Sequence, residues 1–420
     1  MISKVLAGAV VIAALLAGAP LAVAEDRRDC YDPTVPLTVE ENRLTRPIPQ
    51  DILRRSGFDR YATTFSAALC ALPGAPSATV LASASGKTLW NAAVARAQSP
   101  VPTDGLSVTD DRPLYWARLR FTSLLRQWTP AGGLDASERA ALILRFDRAS
   151  RGQDTLRLPA GDGIRRIVVS GFDPFILDAD IRRSNPSGAA ALALDGTIVR
   201  TPNGPARIET AIFPVLWRPF EQGTVEDTFL PHLQEGPARA DMFVTVSQGR
   251  PGRFDIEGYN GRWRGGFPDN DNISYTGVVP VPAHVPTVTP APEFVPSTLP
   301  AADMAAAPPG RFPVHINPSV TEIPAGETAP VFQPNGPTPG SVARAGSGGN
   351  YLSNEIAYRT TLLRDALGLR MPGGHLHTPV LVFGPGNTTE ISDPVFEQNR
   401  LDIIDQTRAL VTAAVPPPRD

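Results

Sequence analysis

Lysine is very scarce in this sequence. Lys4 and Lys87 are the only two in 420 residues, so arginine supplies nearly all of the positive charge. Acidic and basic residues nearly balance, which leaves a formal net charge of −3. Proteins that bind nucleic acid or anionic membranes through their electrostatic field carry an excess of basic residues. The composition therefore gives no electrostatic case for a nucleic-acid partner or for an anionic membrane surface.

The one conspicuous apolar run stands at the start of the chain. After MISK the chain runs through the apolar stretch AGAVVIAALLAGAPLAVA, which ends in the Ala22-Val23-Ala24 site directly before the charged EDRRD. A basic start, an apolar stretch and an A-x-A site predict a secretory signal at residues 1–24, cut after Ala24. An uncleaved N-terminal anchor is the alternative, because the run is almost long enough to span a bilayer. Pro20 and the small residues favour cleavage, so we expect a secreted protein, extracellular or in the cell envelope, without a membrane contact after cleavage.

Cysteine is as scarce as lysine, since Cys30 and Cys70 are the only two. In an oxidising compartment, two thiols on one segment most simply form a disulfide. A reactive catalytic thiol is the alternative reading of either residue. The disulfide would close a loop of some forty residues and should stabilise this region by roughly 3–4 kcal/mol.

Two regions with different hydrophobic periods follow the leader. Residues 25–160 carry apolar side chains at three- and four-residue spacing, which predicts an α-helical domain. Asp135 with Glu138 predicts a capping box at the start of one of its helices. The ASGKTLW stretch is not a Walker A loop, because Leu81 stands where the first glycine belongs.

From residue 161 to 420 short apolar strands alternate with helices. The predicted strands are IRRIVVSGF, RIETAIFPV, ADMFVTVSQG and HTPVLVFG. This alternation predicts an α/β domain with an open, twisted, mainly parallel sheet and helices on both faces.

A proline-rich insertion interrupts the α/β pattern at about residues 276–345. Sixteen of the sixty residues from Pro280 to Pro339 are proline. Such a segment cannot be a regular helix and is a poor candidate for central sheet. We expect an extended segment wrapped around the domain, with a partly disordered flap as the alternative.

Residues with catalytic chemistry gather where the predicted strands end. Ser353, His377 and Glu257 are the types that form a nucleophile, a general base and an orienting acid. Each has a plainer explanation, since Ser353 could merely cap a helix and Glu257 could be a surface carboxylate. His375 and His377 lie two apart on one side of a strand, but no third ligand at a convincing spacing follows, so we expect no metal and no cofactor.

Four sequence blocks that occur in a fixed order make the prediction from these residues more specific. The blocks are Gly171-Phe172-Asp173-Pro174-Phe175 with Asn185-Pro186-Ser187, then Gln248 and Glu257 before Pro268-Asp269-Asn270, then Gly349-Asn350-Tyr351-Leu352-Ser353-Asn354 with Tyr358, then Gly374-His375-Leu376-His377-Thr378-Pro379. Together they resemble the pyroglutamyl peptidase I (pyrrolidone-carboxylate peptidase) family of cysteine peptidases. The resemblance covers about residues 164–385 without the insertion, and it does not extend to residues 25–160.

The resemblance implies a site that removes an N-terminal pyroglutamyl group from a peptide substrate. Ser353 would stand in for the family's nucleophilic cysteine, with His377 as general base and acid and Glu257 as its orienting partner. The substrate-binding residues implied in the same way are Phe172, Phe175, Asn185 and Gln248. Aromatic walls with a few oriented amides suit a flat, uncharged lactam.

Three positions depart from the family pattern. Serine replaces the nucleophilic cysteine, and a hydroxyl needs a well-placed base because it must lose its proton during attack. Gly266 stands where the family has an arginine before P-D-N, although Arg262 and Arg264 are close in sequence. Ile176-Leu177 replaces a pair of glycines, and four extra residues precede Asn185.

Two functions follow from these residues. The first is an exported serine variant of the peptidase, favoured by the retained His377, Glu257 and Gln248. The second is a catalytically inactive relative that serves as a binding or scaffold protein, favoured by the serine at 353 and by Gly266.

Overall fold

A computed structural model of the chain describes residues 30–101, 105–161 and 163–418. The predicted signal peptide, residues 1–24, lies outside these ranges. No helix within the described ranges is long and apolar enough to cross a membrane.

Helices make up the first part of the chain, as the three- and four-residue apolar spacing predicts. Asp135 accepts hydrogen bonds from the backbone of Ser137 and Glu138, while the Glu138 side chain accepts from the Asp135 N–H, which is the predicted capping box. The helices of this region are α1 Val39–Asn42, a 3-10 turn at Arg43–Thr45, α2 Pro47–Ser56, α3 Asp59–Cys70, α4 Ala75–Ala97, α5 Arg112–Gln127 and α6 Ala136–Ser150.

A disulfide ties the start of the helical region to the end of α3. Cys30 and Cys70 are bonded to each other, with their Cα atoms 5.6 Å apart. The neighbouring Tyr31 forms a β-bridge with Trp128, just after α5. The residues that precede α1 are therefore fastened to the helices at two points.

The second part of the chain is an α/β layer structure, and the predicted fold class is confirmed. Its strands are β1 Arg165–Phe172, β2 Ile198–Thr201, β3 Gly204–Phe213, β4 Met242–Gln248, β5 Phe254–Glu257, β6 Tyr259–Gly261, β7 Trp263–Gly265, β8 Thr276–Val278, β9 Phe294–Pro296, β10 Val314–Asn317, β11 Val320–Ile323, β12 Val331–Gln333, β13 Val342–Ala345 and β14 Gly373–Thr378. Its helices are α7 Pro186–Leu194, α8 Trp217–Glu221, α9 Thr224–Leu233, α10 Ala301–Ala305, α11 Leu352–Ala366 and α12 Pro394–Ala413.

Seven of the described strands form the main sheet, in the order β10-β5-β14-β4-β1-β3-β2. The pairs in the middle of the sheet, β14-β4, β4-β1 and β1-β3, are parallel. The pairs β5-β14 and β2-β3 are antiparallel. The sheet is therefore mainly parallel, with β2 reversed at one edge and β5 and β10 reversed at the other.

Two element boundaries differ from the sequence predictions. HTPVLVFG was predicted as a strand, but β14 ends at Thr378 and residues 379–384 are irregular. β14 pairs on both sides, and Pro379 has no N–H to offer a neighbour, so the ladder stops before it. The stretch RPFEQGTVEDTFLPHL, which the alternation of strands and helices predicts as one helix, is broken into α8 and α9 by Gly223, whose φ is 91°.

The proline-rich insertion is ordered and takes part in the sheet. β8 to β13 and α10 all come from residues 276–345. β10 pairs in parallel with β5 at the edge of the main sheet, a place where flanking prolines are tolerated. The segment thus forms short strands and one helix, and the expectation that it wraps the domain stays a prediction.

The helical region packs directly on the α/β region. Leu177, Ala191 and Ile391 belong to the same buried apolar cluster as the helices α2 to α6. The Arg118 guanidinium donates to Asp173 at 2.7 Å, and both side chains are buried. The first strand-to-helix loop of the α/β region is therefore held by the helices before it.

Candidate active site

Polar side chains line one face of three neighbouring strands. Successive side chains of a strand point to opposite faces, so residues two apart share a face. On that face β4 carries Thr245 and Ser247, β14 carries His375 and His377, and the C-terminal end of β5 carries Glu257. All are buried. Buried polar groups at this density need partners within the protein.

His377 and Glu257, both predicted from sequence, are in direct contact. The Nδ1 atom of His377 lies 2.7 Å from Oε1 of Glu257. Because a carboxylate only accepts hydrogen bonds, the proton of the neutral imidazole resides on Nδ1 and Nε2 is the basic nitrogen. This tautomer is the one that a general base at Nε2 requires.

His375 serves as a fixed, uncharged neighbour of His377. Its two nitrogens lie 2.8 Å from the hydroxyls of Thr245 and Ser247, and its ring stands edge-on to that of His377 at 4.6 Å. Burial, and then the nearby His377, lower the pKa of His375 well below its ordinary value. His375 therefore stays neutral, and with both nitrogens bonded it is a poor metal ligand.

Ser353 lies in the first turn of α11. Its hydroxyl donates to the Gly348 carbonyl oxygen at 3.4 Å. Among the described residues no hydrogen bond joins Ser353 to His377. Gly348 itself faces the imidazole, since a Cβ built on it would lie 3.1 Å from His377 Cε1. The serine, the glycine loop and the histidine thus meet, with the hydroxyl turned to the loop.

A cavity of about 30 Å³ borders Ser353. Its walls include all four residues that the sequence assigned to substrate binding. The lining residues are Phe172, Phe175, Asn185, Val215, Ser247, Gln248, Tyr351, Leu352 and Ser353. This volume admits one or two water molecules, so a lactam ring enters only if the walls move apart.

Asn185 has a structural task besides lining the cavity. Its side-chain oxygen accepts from the N–H and hydroxyl of Ser187, which caps α7, and its NH₂ donates to the Asp173 carbonyl at 2.9 Å. These bonds fix the amide at the cavity wall. Its predicted contact with a substrate stays a prediction.

The arginine missing at position 266 is not replaced by its neighbours. Gly266 has φ of 84°, and a side chain there would meet the Thr276 hydroxyl. Arg264 makes a two-pronged pair with Glu355 at 2.6 and 2.7 Å. Arg262 donates to the Ala291 carbonyl at 3.4 Å. Arg264 is thus committed to another partner, whereas Arg262 has this one long bond, and its buried Nε has no hydrogen-bond partner among the described residues.

The substituted glycine pair keeps an unusual backbone. Ile176 has φ of 59°, in the left-handed region that a β-branched residue rarely adopts. Its side chain is exposed and is not part of the cavity wall, whereas Leu177 is buried against the helical region. The loop after Phe175 therefore keeps the glycine-type conformation at a cost of about 1–2 kcal/mol.

Sequence reasoning missed several side chains of the site. Thr245 and Ser247 carry a usable signal, because polar residues alternate inside an otherwise apolar strand. Asn317, which donates to Glu257 Oε2 at 2.8 Å, lies in the proline-rich insertion and shows no such pattern.

Comparison with family models places the chain in a family. The model described as the PA0049 N-terminal domain matches residues 22–147, and the model of the PA0049 C-terminal domain matches residues 166–315 and 309–382. The chain therefore belongs to the PA0049 family. The uncharacterized protein PA0049 of Pseudomonas aeruginosa strain PAO1 is 35% identical in an alignment 491 positions long. The alignment covers 89% of this chain and 88% of the relative.

Solved structures similar to this one include pyrrolidone carboxyl peptidase from the hyperthermophile Pyrococcus furiosus. The structure of that enzyme and its cysteine-free mutant matches with a TM-score of 0.39 and 19% identity, over 59% of this chain and 97% of the other. A further mutant of the enzyme matches with a TM-score of 0.38 and 20% identity over the same shares.

Proposed function

We propose that this chain is an exported hydrolase that removes an N-terminal pyroglutamyl, or similarly blocked, group from peptides. The observation that carries the proposal is the buried His377–Glu257 pair, whose Nδ1 and Oε1 atoms lie 2.7 Å apart, with Gly348 facing the imidazole and accepting from the Ser353 hydroxyl. The order of the four sequence blocks supports the pyroglutamyl specificity. The Cys30–Cys70 disulfide supports export, because disulfides persist in oxidising compartments.

The reaction would proceed in two steps. The Ser353 hydroxyl attacks the carbonyl carbon of the blocked residue while Nε2 of His377 takes its proton. The imidazolium then protonates the leaving amine, and water releases the acyl group from Ser353 by the reverse proton path. Glu257 stabilises the imidazolium throughout. With Gly266 in place of the arginine and Arg264 bound to Glu355, backbone N–H groups at the start of α11 are the donors for the oxyanion.

A non-catalytic relative is the second candidate function. The Ser353 hydroxyl bonds to Gly348 rather than to His377, and the cavity is too small for a lactam without movement. In that case the retained pair would serve only to hold the sheet together, and the helical region or the insertion would bind a partner.

One experiment separates the two functions. Wild type, Ser353→Ala and Ser353→Cys are compared on a fluorogenic pyroglutamyl amide, with Ser77→Ala on the exposed face of α4 as the matched serine control. The hydrolase predicts turnover in wild type and in the control, and a fall of roughly 10³-fold or more in Ser353→Ala.

The other outcomes decide against efficient serine catalysis. Turnover in Ser353→Cys alone would show that the pocket survives and that only the nucleophile has been lost. Turnover in neither protein would contradict the peptidase assignment and favour the binding protein.

A further inference from the structure

Asn317, the last residue of β10, connects the insertion to the candidate active site. Its side-chain nitrogen donates to Oε2 of Glu257 at 2.8 Å and to the carbonyl oxygen of Ser347 at 2.9 Å. Both hydrogens of one amide group are thereby used, one on the acid and one on the loop that precedes α11.

The remaining atom of the amide is fixed as well. Oδ1 of Asn317 accepts from the N–H of Ser319 at 3.2 Å and from its hydroxyl at 2.6 Å. The backbone is held by the pairing of Asn317 opposite Glu257 in the sheet, and the Gly258 N–H donates to the Asn317 carbonyl at 2.9 Å. The side chain therefore has one orientation, with its donors directed at the site.

The contact with Ser347 reaches the candidate nucleophile. Ser347 is followed by Gly348, whose carbonyl accepts from the Ser353 hydroxyl and whose Cα faces the His377 ring. One amide thus holds the acid of the pair and the loop that positions the serine. The contacts with Glu257 and Ser347 both come from β10, not from β5 or β14, the strands that carry Glu257 and His377.

We propose that Asn317 is a positioning residue for the Glu257–His377 pair, and that the insertion serves to deliver it. The proposal rests on the proposed function and assigns the insertion a part in that reaction. Asn317 occupies Oε2 of Glu257 and so leaves Oε1 directed at His377 when the imidazole takes the serine proton.

The other charged groups around Glu257 are few and already paired or distant from the bond. On its own strand Asp255 pairs with Arg253 at 3.0 Å. On β14 His375 is neutral, on β10 His315 is exposed, and on α11 Glu355 is bound to Arg264. Within the described ranges, the Asn317 amide is the donor on the second oxygen of Glu257.

Two substitutions separate positioning from a merely structural turn. Asn317→Asp keeps the oxygen that accepts from Ser319 but replaces the donor with a second carboxylate oxygen facing Glu257. Ser319→Ala removes the hydroxyl that donates to Asn317 Oδ1 at 2.6 Å, keeps the backbone N–H that donates to the same oxygen, and leaves the Asn317 donor in place. A structural role predicts a normal Asn317→Asp protein and a damaged Ser319→Ala protein, and a positioning role predicts the reverse.

The kinetic test measures the pyroglutamyl amide reaction across pH. We expect kcat to fall about 10- to 100-fold in Asn317→Asp with KM nearly unchanged, the range for a lost hydrogen bond to a charged group. The acid limb of its pH profile should move to higher pH, because added negative charge stabilises the imidazolium. Wild-type kcat in Asn317→Asp, or an equal fall in Ser319→Ala, would overturn the proposal.

A second readout does not depend on turnover. A proton held between His377 Nδ1 and Glu257 gives a resolved downfield proton NMR signal, which should persist in Ser319→Ala and be lost or broadened in Asn317→Ala. If wild type shows the signal but no turnover, and Asn317→Ala loses the signal, the positioning role is supported while the proposed reaction fails. If wild type turns over and Asn317→Ala keeps an unaltered signal, the proposed reaction stands and the positioning role is overturned.

Discussion

The Glu257–His377 hydrogen bond fixes one tautomer of the imidazole and leaves Nε2 free to accept a proton. A serine needs this arrangement more than a cysteine does, because a thiolate can be stabilised in advance whereas a hydroxyl must be deprotonated during attack. Serine also suits an exported enzyme, since a catalytic thiol in an oxidising compartment would be exposed to oxidation and to exchange with the Cys30–Cys70 disulfide.

A buried carboxyl near the loop of Phe175 gives a pH prediction. Glu40 of α1 accepts from the Tyr115 hydroxyl at 2.8 Å and from the Asn270 amide at 2.9 Å. Burial, and then Asp271 and Asp173, raise the pKa of Glu40 to about 8. The folded state therefore keeps a proton that the unfolded chain releases near its ordinary value of 4.5. This contribution to stability is complete below that value and is lost as the pH rises to about 8.

Glu40→Gln should remove this pH dependence, because the amide is neutral at every pH and can accept the same bonds. We expect its thermal midpoint to equal that of wild type near pH 4 and to exceed it increasingly toward pH 9. The corresponding difference in the free energy of unfolding is on the order of a few kcal/mol. Glu390→Gln, at an exposed glutamate, is the control. Parallel pH curves for wild type and Glu40→Gln would contradict the assignment.

The element that carries Ser353, helix α11, is anchored by a buried ion network. Glu355 pairs with Arg264 at 2.6 Å and with Arg359 at 3.1 Å, and Arg359 also donates to Glu226 of α9 at 2.7 Å. Glu355, Arg359 and their partners are almost fully buried. Removing one member of such a network leaves an uncompensated charge in the interior.

We expect Glu355→Gln to lower the free energy of unfolding by roughly 3–5 kcal/mol, measured by denaturant titration. Arg311→Ala, which breaks the exposed pair of Arg311 with Asp402, is the matched control and should cost less than about 1 kcal/mol. A loss in Glu355→Gln as small as that of the control would show that the network does not anchor the helix.

The periodic elements could be predicted from sequence, and the boundaries set by distant partners could not. The helices of residues 39–150 and the strands β1, β3 and β4 follow their apolar spacing. β10 does not, because its four residues stand between Pro313 and Pro318 and become a strand only by pairing with β5. A role for Asn317 could not be predicted for the same reason, whereas Glu257 and His377 lie in recognisable sequence blocks.

Across the whole molecule, the helical region and the insertion both support the α/β site. Arg43 of the helical region makes a two-pronged pair with Asp178 in the loop that follows Phe175, with bonds of 2.9 and 2.6 Å. The insertion reaches Glu257 from the opposite edge through Asn317. Neither contact could be predicted from the sequence, since each joins residues far apart in the chain. The helical region therefore holds the loop after Phe175 in place, and the insertion holds Glu257 in place.

The central claim is that Ser353 accepts an acyl group, and intact-mass spectrometry after incubation with an activated pyroglutamyl ester tests it most directly. We expect a mass gain of one pyroglutamyl group in wild type, mapped by peptide analysis to Ser353, and no gain in Ser353→Ala. An unmodified wild-type protein, or a gain that persists in Ser353→Ala, would contradict it.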